Sequence, residues 1–198
     1  MSGVESAECE DYDDGEAGVG PDRAGGTMNT RIGRRLIIVC GLPGSGKTTL
    51  AKAIEGRLGA IRFSPDEWMD DLSLDLYDEE RRGKIEGLQW KLGQQLLALG
   101  LVVIIEWGTW GRSEREALRL GARALGAAVE LHYLSAPEDI LFERIERRRM
   151  ESPPIEREML RRWAEIFEAP TREEMELYDK PAIADIESGL TGGVVPVE

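Results

Sequence analysis

The segment Gly41-Leu42-Pro43-Gly44-Ser45-Gly46-Lys47-Thr48 has the spacing G-x-x-x-x-G-K-[ST]. Each residue type has a chemical reason to stand where it does. Gly41, Gly44 and Gly46 allow backbone conformations that turn N–H groups toward phosphate oxygens. A helix starting at the lysine would point its partly positive end at the same oxygens. Lys47 is placed to contact β- and γ-phosphates, the Thr48 hydroxyl to bind magnesium, and Thr49 to bond the α-phosphate. A glycine-rich turn without a ligand is the bland alternative. The full eight-residue match favours a nucleoside triphosphate. Three further features are chemically suggestive. Asp66 and Glu106 each follow an apolar run, and Arg144 and Arg148 share a helix face at i, i+4.

The elements that must position these groups alternate between strand and helix. Arg35–Cys40 (RLIIVC) is a continuous apolar run of buried-strand type and leads directly into the glycine loop. Residues 48–58 have a helical pattern. Further strands are predicted at 60–63, 101–105 and 129–134, with a weaker one at 182–186. Ser64, Ser113, Ser135 and Thr171 each precede a glutamate by three residues, which predicts capping boxes at four helix starts. Strands followed by capped helices predict a mostly parallel sheet covered on both faces. By this order Asp66 lies at a strand end beside the phosphate loop, facing the crevice of an open α/β sheet. A group there can orient a nucleophile and accept its proton. Its alternative role is to favour the first turn of a helix.

Composition sets limits. Residues 1–30 hold eight acids and one arginine, a net −7 of the chain's −13, leaving −6 on the rest. They are poor in large apolar residues and are expected to be a disordered acidic tail. Residues 31–190 are expected to form one domain, and 191–198 a flexible C-terminus. The acidic balance argues against long nucleic acid as a partner. No apolar run approaches the roughly 20 residues that span a bilayer, so no membrane partner is expected. Cys9 and Cys40 form no disulfide framework, and the acidic N-terminal stretch lacks a basic-then-apolar signal pattern, so a cytoplasmic location is expected. His132 lies inside a strand-like run and is expected to be structural. The Asn-Lys-x-Asp element with which GTPases read guanine is absent, since the only asparagine is Asn29. ATP is therefore the expected nucleotide.

From Arg35 to Pro181 the chain resembles the small P-loop kinases grouped with chloramphenicol phosphotransferase, zeta toxins and the kinase domain of polynucleotide kinase. Such chains are often described as AAA domain-containing ATP-binding proteins. The resemblance rests on GLPGSGKTTLAKAI, RFSPDEW, VVIIEWGTWGRSERE and FERIERRR. It implies an α/β P-loop nucleoside triphosphate hydrolase fold, with about five parallel strands and a helical lid. It also implies transfer of the ATP γ-phosphate to a hydroxyl. On this resemblance Asp66 contacts the acceptor hydroxyl, and Glu106 holds the magnesium shell where the family often has Asp. Arg115 matches a recurrent arginine that binds acceptor or phosphate, or pairs with Glu106. Lid arginines on 141–149, Arg144 and Arg148 first among them, close over the phosphates. Trp68, Trp107 and Trp110 are candidates for an acceptor pocket or for packing.

The expected function is an ATP- and magnesium-dependent phosphotransferase acting on a small-molecule hydroxyl. Asp66, Asp70, Asp71 and Glu106 would make an acidic pocket suited to a cationic acceptor such as an amino sugar. The alternatives are a nucleoside or polynucleotide 5′-hydroxyl kinase, and an ATP-binding regulatory or toxin-like module.

Overall fold

The computed structural model describes residues 33–148 and 153–183, all within the contact unit Arg31–Glu198. The expected tail and C-terminus lie outside the described residues. Four parallel strands form one sheet in the order β2-β3-β1-β4: β1 is Arg35–Cys40, β2 Ile61–Phe63, β3 Val102–Gly108 and β4 Ala128–Tyr133. The helices are α1 Lys47–Leu58, α2 Pro65–Asp71, α3 Glu79–Ala98, α4 Arg112–Ala124, α5 Glu138–Arg148, α6 Arg157–Ile166 and α7 Arg172–Met175.

Strand alternation divides the core into two layers. Leu36, Ile38 and Cys40 join Val103, Ile105, Leu97, Leu118 and Ala122, which packs α3 and α4 on one face. Ile37 and Val39 join Ile104, Leu50, Ala51 and Ile54, which packs α1 on the other. Both faces being covered explains why β1 and β3 are apolar throughout rather than alternating. A third cluster of Leu141, Ile145, Ile155 and Leu160 joins α5 to α6, and Leu42 of the glycine loop packs against it. This pair is the helical lid, seated on the loop itself.

Sheet order decides where the site forms. β1 lies between β3 and β4, so the loops after β1 and β3 open side by side at the carboxyl ends of the strands. The register shifts between Ile38 and Cys40, giving β3 an extra residue where Glu106 and Trp107 stand. Such bulges re-aim side chains beside binding sites.

Several local expectations are corrected. Residues 182 and 183 form a bend rather than a strand, and 184–186 lie outside the described residues, so the sheet has four strands among them instead of about five. Ser64 precedes α2 but makes no side-chain capping bond, and Glu67 pairs with Arg62 and Lys52 instead of reaching back to the cap. Ser113 lies within α4, whose cap is Gly111, and Glu114 accepts from the Gly111 N–H at 3.3 Å. Helix α5 begins at Glu138, three residues after Ser135. Thr171 does cap α7, its hydroxyl accepting from the Glu174 N–H at 3.2 Å. His132 is structural as expected: it is buried on β4 and meets Glu130 at 2.9 Å.

Arg115 is the largest fully buried side chain, and its carboxylate partner is Glu174 rather than Glu106. Its guanidinium donates to both carboxylate oxygens of Glu174, at 2.7 and 2.9 Å, and to the Thr109 carbonyl at 3.0 Å. It therefore ties α7 to the loop after β3. Removing one partner of such a pair leaves an uncompensated buried charge. Arg115→Met is expected to lower unfolding stability by about 3–5 kcal/mol. Urea denaturation checks this, and Arg115→Met with Glu174→Gln should recover part of the loss.

Candidate active site

The glycine loop has the geometry its residue types require. Gly44 has φ +80°, and a Cβ there would meet the Leu141 carbonyl oxygen at 2.5 Å. Gly41 is equally crowded, its imagined Cβ lying 2.2 Å from the Leu134 carbonyl oxygen. Gly46 caps α1 without a side chain, so the first-turn N–H groups remain for an anion. Ser45 is buried and its hydroxyl has no hydrogen-bond partner, leaving a donor in the same cradle. These features fit a phosphate group.

Lys47 donates to the Leu42 carbonyl at 3.1 Å. Burial lowers its ammonium below the usual lysine range, while Glu106 and Asp66 act to raise it. Thr48 donates to Oε1 of Glu106 through a short hydrogen bond. Arg62 donates to the other oxygen, Oε2, at 3.0 Å. Burial pushes the Glu106 carboxyl above its usual range, against the opposing pull of Thr48, Arg62 and Lys47.

These groups open onto a cleft of about 1520 Å³. Pockets for one drug-sized ligand run to roughly 300–1,000 Å³, so the space admits a nucleotide and a second small molecule. Pro43 to Leu50 line it, with Arg144, Arg147 and Arg148 of α5. Arg144 donates to the Gly44 carbonyl at 3.4 Å. Asp66, Asp70, Glu79, Glu86 and Glu114 line the same cleft, with the rings of Tyr77, Trp90, Trp107 and Trp110. Trp110 meets Trp163 edge-on, with ring centroids 5.8 Å apart. Asp66 takes a hydrogen bond from Arg82 at 2.5 Å and keeps 68% of its side chain exposed.

The structure thus brings together Lys47, Thr48, Asp66, Glu106, Trp107, Trp110 and the lid arginines. Trp68 and Asp71 do not line the cleft. Trp68 instead packs edge-on against Phe63, centroids 6.1 Å apart, within the sheet–helix core. Sequence reasoning missed Arg62, Arg82, Glu86 and Glu174. Arg62 carried a usable signal: a charge between apolar Ile61 and Phe63 in a strand needs a partner if it is buried.

Glu86 gives the cleft a pH-dependent group. Burial pushes its carboxyl up to about 7, with Arg82 opposing and Glu114, Glu79 and Asp66 adding to the rise. The folded state then keeps a proton that the unfolded chain releases nearer 4.5, so stability falls as pH rises through that window. Glu86→Gln is expected to stabilise the protein above pH 7 by roughly 1 kcal/mol, with allowance for its partial exposure. The gain should vanish near pH 4.5. Thermal melts across the range check it.

Comparisons with known proteins bear on the fold and the family. The chain is similar in structure to a gluconokinase from Sinorhizobium meliloti 1021, at 24% identity over 71% of this chain and 78% of that one, TM-score 0.51. It is similar to a sugar kinase from Janibacter sp. HTCC2649, at 22% identity over 71% and 81%, TM-score 0.54. It is also similar to Kti12 from Chaetomium thermophilum in complex with ADP-AlF3, at 22% identity over 70% and 82%, TM-score 0.55. At these identities the likeness is one of fold, the P-loop kinase-like fold. No protein of curated function matches the chain. The model of the AAA domain family matches residues 36–170, and the chain belongs to that family.

Proposed function

We propose that this domain transfers the γ-phosphate of ATP to a hydroxyl of a small molecule. The observation that carries this reading is one cleft that joins the glycine loop to Asp66. Lys47, Thr48 and Glu106 line it together with carboxylates and aromatic rings that would receive an acceptor. The acceptor oxygen would bond to the γ-phosphorus as the bond to the β-phosphate oxygen breaks. Asp66 would orient the hydroxyl and take its proton, and ADP would leave. Lys47 and the lid arginines, Arg144 and Arg148 among them, would balance the charge on the transferring group. The ADP-AlF3 in the similar Kti12 fold supports a nucleotide at the loop.

Magnesium fits the residues present. Thr48 supplies a hydroxyl and Glu106 a carboxylate, two hard oxygens in mutual contact. Magnesium commonly takes one or two such protein oxygens and completes its shell with water and phosphate. When bound it supplies charge neutralisation on the phosphate oxygens.

The cleft lining holds a carboxylate cluster, with Asp66, Glu79 and Glu114 in electrostatic reach of Glu86 and Arg82 among them. This balance favours hydroxyl compounds that also bear an amine. No helix among the described residues is long and apolar enough to cross a membrane. We place the reaction in the cytoplasm, where a buried free thiol such as Cys40 stays reduced.

A transfer screen with γ-labelled ATP tests the reading. Nucleosides, neutral sugars, aminoglycosides and RNA ends would be offered, with products read by mass spectrometry. A phosphorylated small molecule is expected, with amine-bearing acceptors preferred. Product on RNA ends or nucleosides would favour a 5′-hydroxyl kinase. Hydrolysis with no acceptor product would favour a regulatory or toxin-like module and overturn the transferase reading.

A further inference from the structure

Arg62 stands on β2 opposite Ile104 of β3. Glu106 is two residues beyond Ile104, so strand alternation puts it on the same face, one diagonal step from Arg62. That face is the one covered by α1, whose first turn carries Thr48 and whose third carries Glu55. Chain geometry therefore drives the Arg62 side chain into the gap between the sheet and α1, where only 7% of it stays exposed.

Every nitrogen of the guanidinium has its own acceptor there. Nη1 donates to Glu106 Oε2 at 3.0 Å, Nε to Glu55 Oε2 at 3.2 Å and Nη2 to Glu67 Oε2 at 2.6 Å. A planar fork bonded on three sides cannot turn. It holds Oε2 of Glu106, which leaves Oε1 directed at Thr48. The third bond runs to the neighbour of Asp66 on α2. One side chain thus joins the carboxylate beside the phosphate loop to the helix that carries the proposed base.

We propose that Arg62 is the positioning residue that sets the Glu106 carboxylate for a magnesium–nucleotide complex. The assignment rests on the functional reading above. It goes beyond it by giving magnesium sensitivity to a residue that contacts neither metal nor nucleotide. Partners of metal-holding carboxylates typically contribute 10–100-fold to metal affinity or activity. A purely structural Arg62 would affect folding and leave magnesium dependence unchanged.

The test is binding of a fluorescent ATP analogue to the full chain, with magnesium titrated and with EDTA. Arg62→Met is expected to raise the magnesium concentration for half-saturation by about 10–100-fold. Metal-free binding should stay within about threefold of wild type, because phosphate contacts come from the glycine loop. Arg62→Lys keeps the charge and loses the fork, so it should lie between the two, and it carries the test if the methionine variant does not fold. Wild-type magnesium dependence in both Arg62 variants would overturn the assignment. So would a loss of metal-free binding as large as the loss with magnesium. A wild-type chain that binds no nucleotide would instead overturn the functional reading and this assignment with it.

Discussion

Lys47→Ala should lower phosphoryl-transfer turnover by about 10³-fold, in line with the loss of a charge that acts in a water-poor site. The structure explains the size. The Lys47 ammonium is desolvated enough for burial to lower its pKa, and its one hydrogen bond is to the Leu42 carbonyl at 3.1 Å. Two nearby carboxylates, Glu106 and Asp66, oppose that shift. A group held in this way is poised to exchange a carbonyl for phosphate oxygens with little reorganisation. Alanine removes that charge and forfeits one bond to the loop, so the fold should survive. Steady-state kinetics and an ATP-analogue titration on the same preparation would show both losses. Wild-type turnover in a folded Lys47→Ala variant would remove the phosphate role.

The second large effect is expected at Asp66. Asp66→Asn should cut turnover by about 10²–10⁴-fold, the range for a positioned general base. Nucleotide affinity should stay within about twofold of wild type, since Asp66 lies on α2 and not on the phosphate loop. The variant should fold normally. The ion pair it gives up, to Arg82 at 2.5 Å, leaves Asp66 68% exposed, and such pairs contribute about 0–1 kcal/mol. Lysine loss should thus affect binding and turnover together, whereas aspartate loss should separate them. Full transfer activity in Asp66→Asn would dismiss it as the base.

What could be read from the sequence was what depends on neighbours along the chain. β1 has the bounds its apolar run predicts, and the phosphate loop follows it directly. β3 runs on past Ile105 to Gly108, because Gly108 pairs with Cys40 beyond the bulge at Glu106 and Trp107, although a hydropathy pattern stops before them. Residues whose roles are set by sheet order were harder. Arg62 and Glu106 are 44 positions apart and meet only because β2 lies beside β3. Arg115 and Glu174 are separated by 59 positions. The pattern Thr171-x-x-Glu174 gave the helix start correctly, yet the glutamate side chain serves the buried arginine and not the helix cap. Local spacing predicts local bonds, while a buried charge finds its partner through the tertiary fold.

The Arg115–Glu174 bond also bears on where the domain ends. The family pattern stops at residue 170, but the cooperative unit does not. Beyond it, Glu174 neutralises the buried arginine, and Asp179 exchanges backbone and side-chain bonds with Val129 of β4, both at 2.7 Å. A fragment cut at the homology boundary would carry an orphaned guanidinium in its interior and an unsatisfied N–H on an edge strand. A fragment ending at residue 170 is therefore expected to be less stable than one that keeps residues 171–180. Residues 171–180 act as a keystone that the signature of the family does not include.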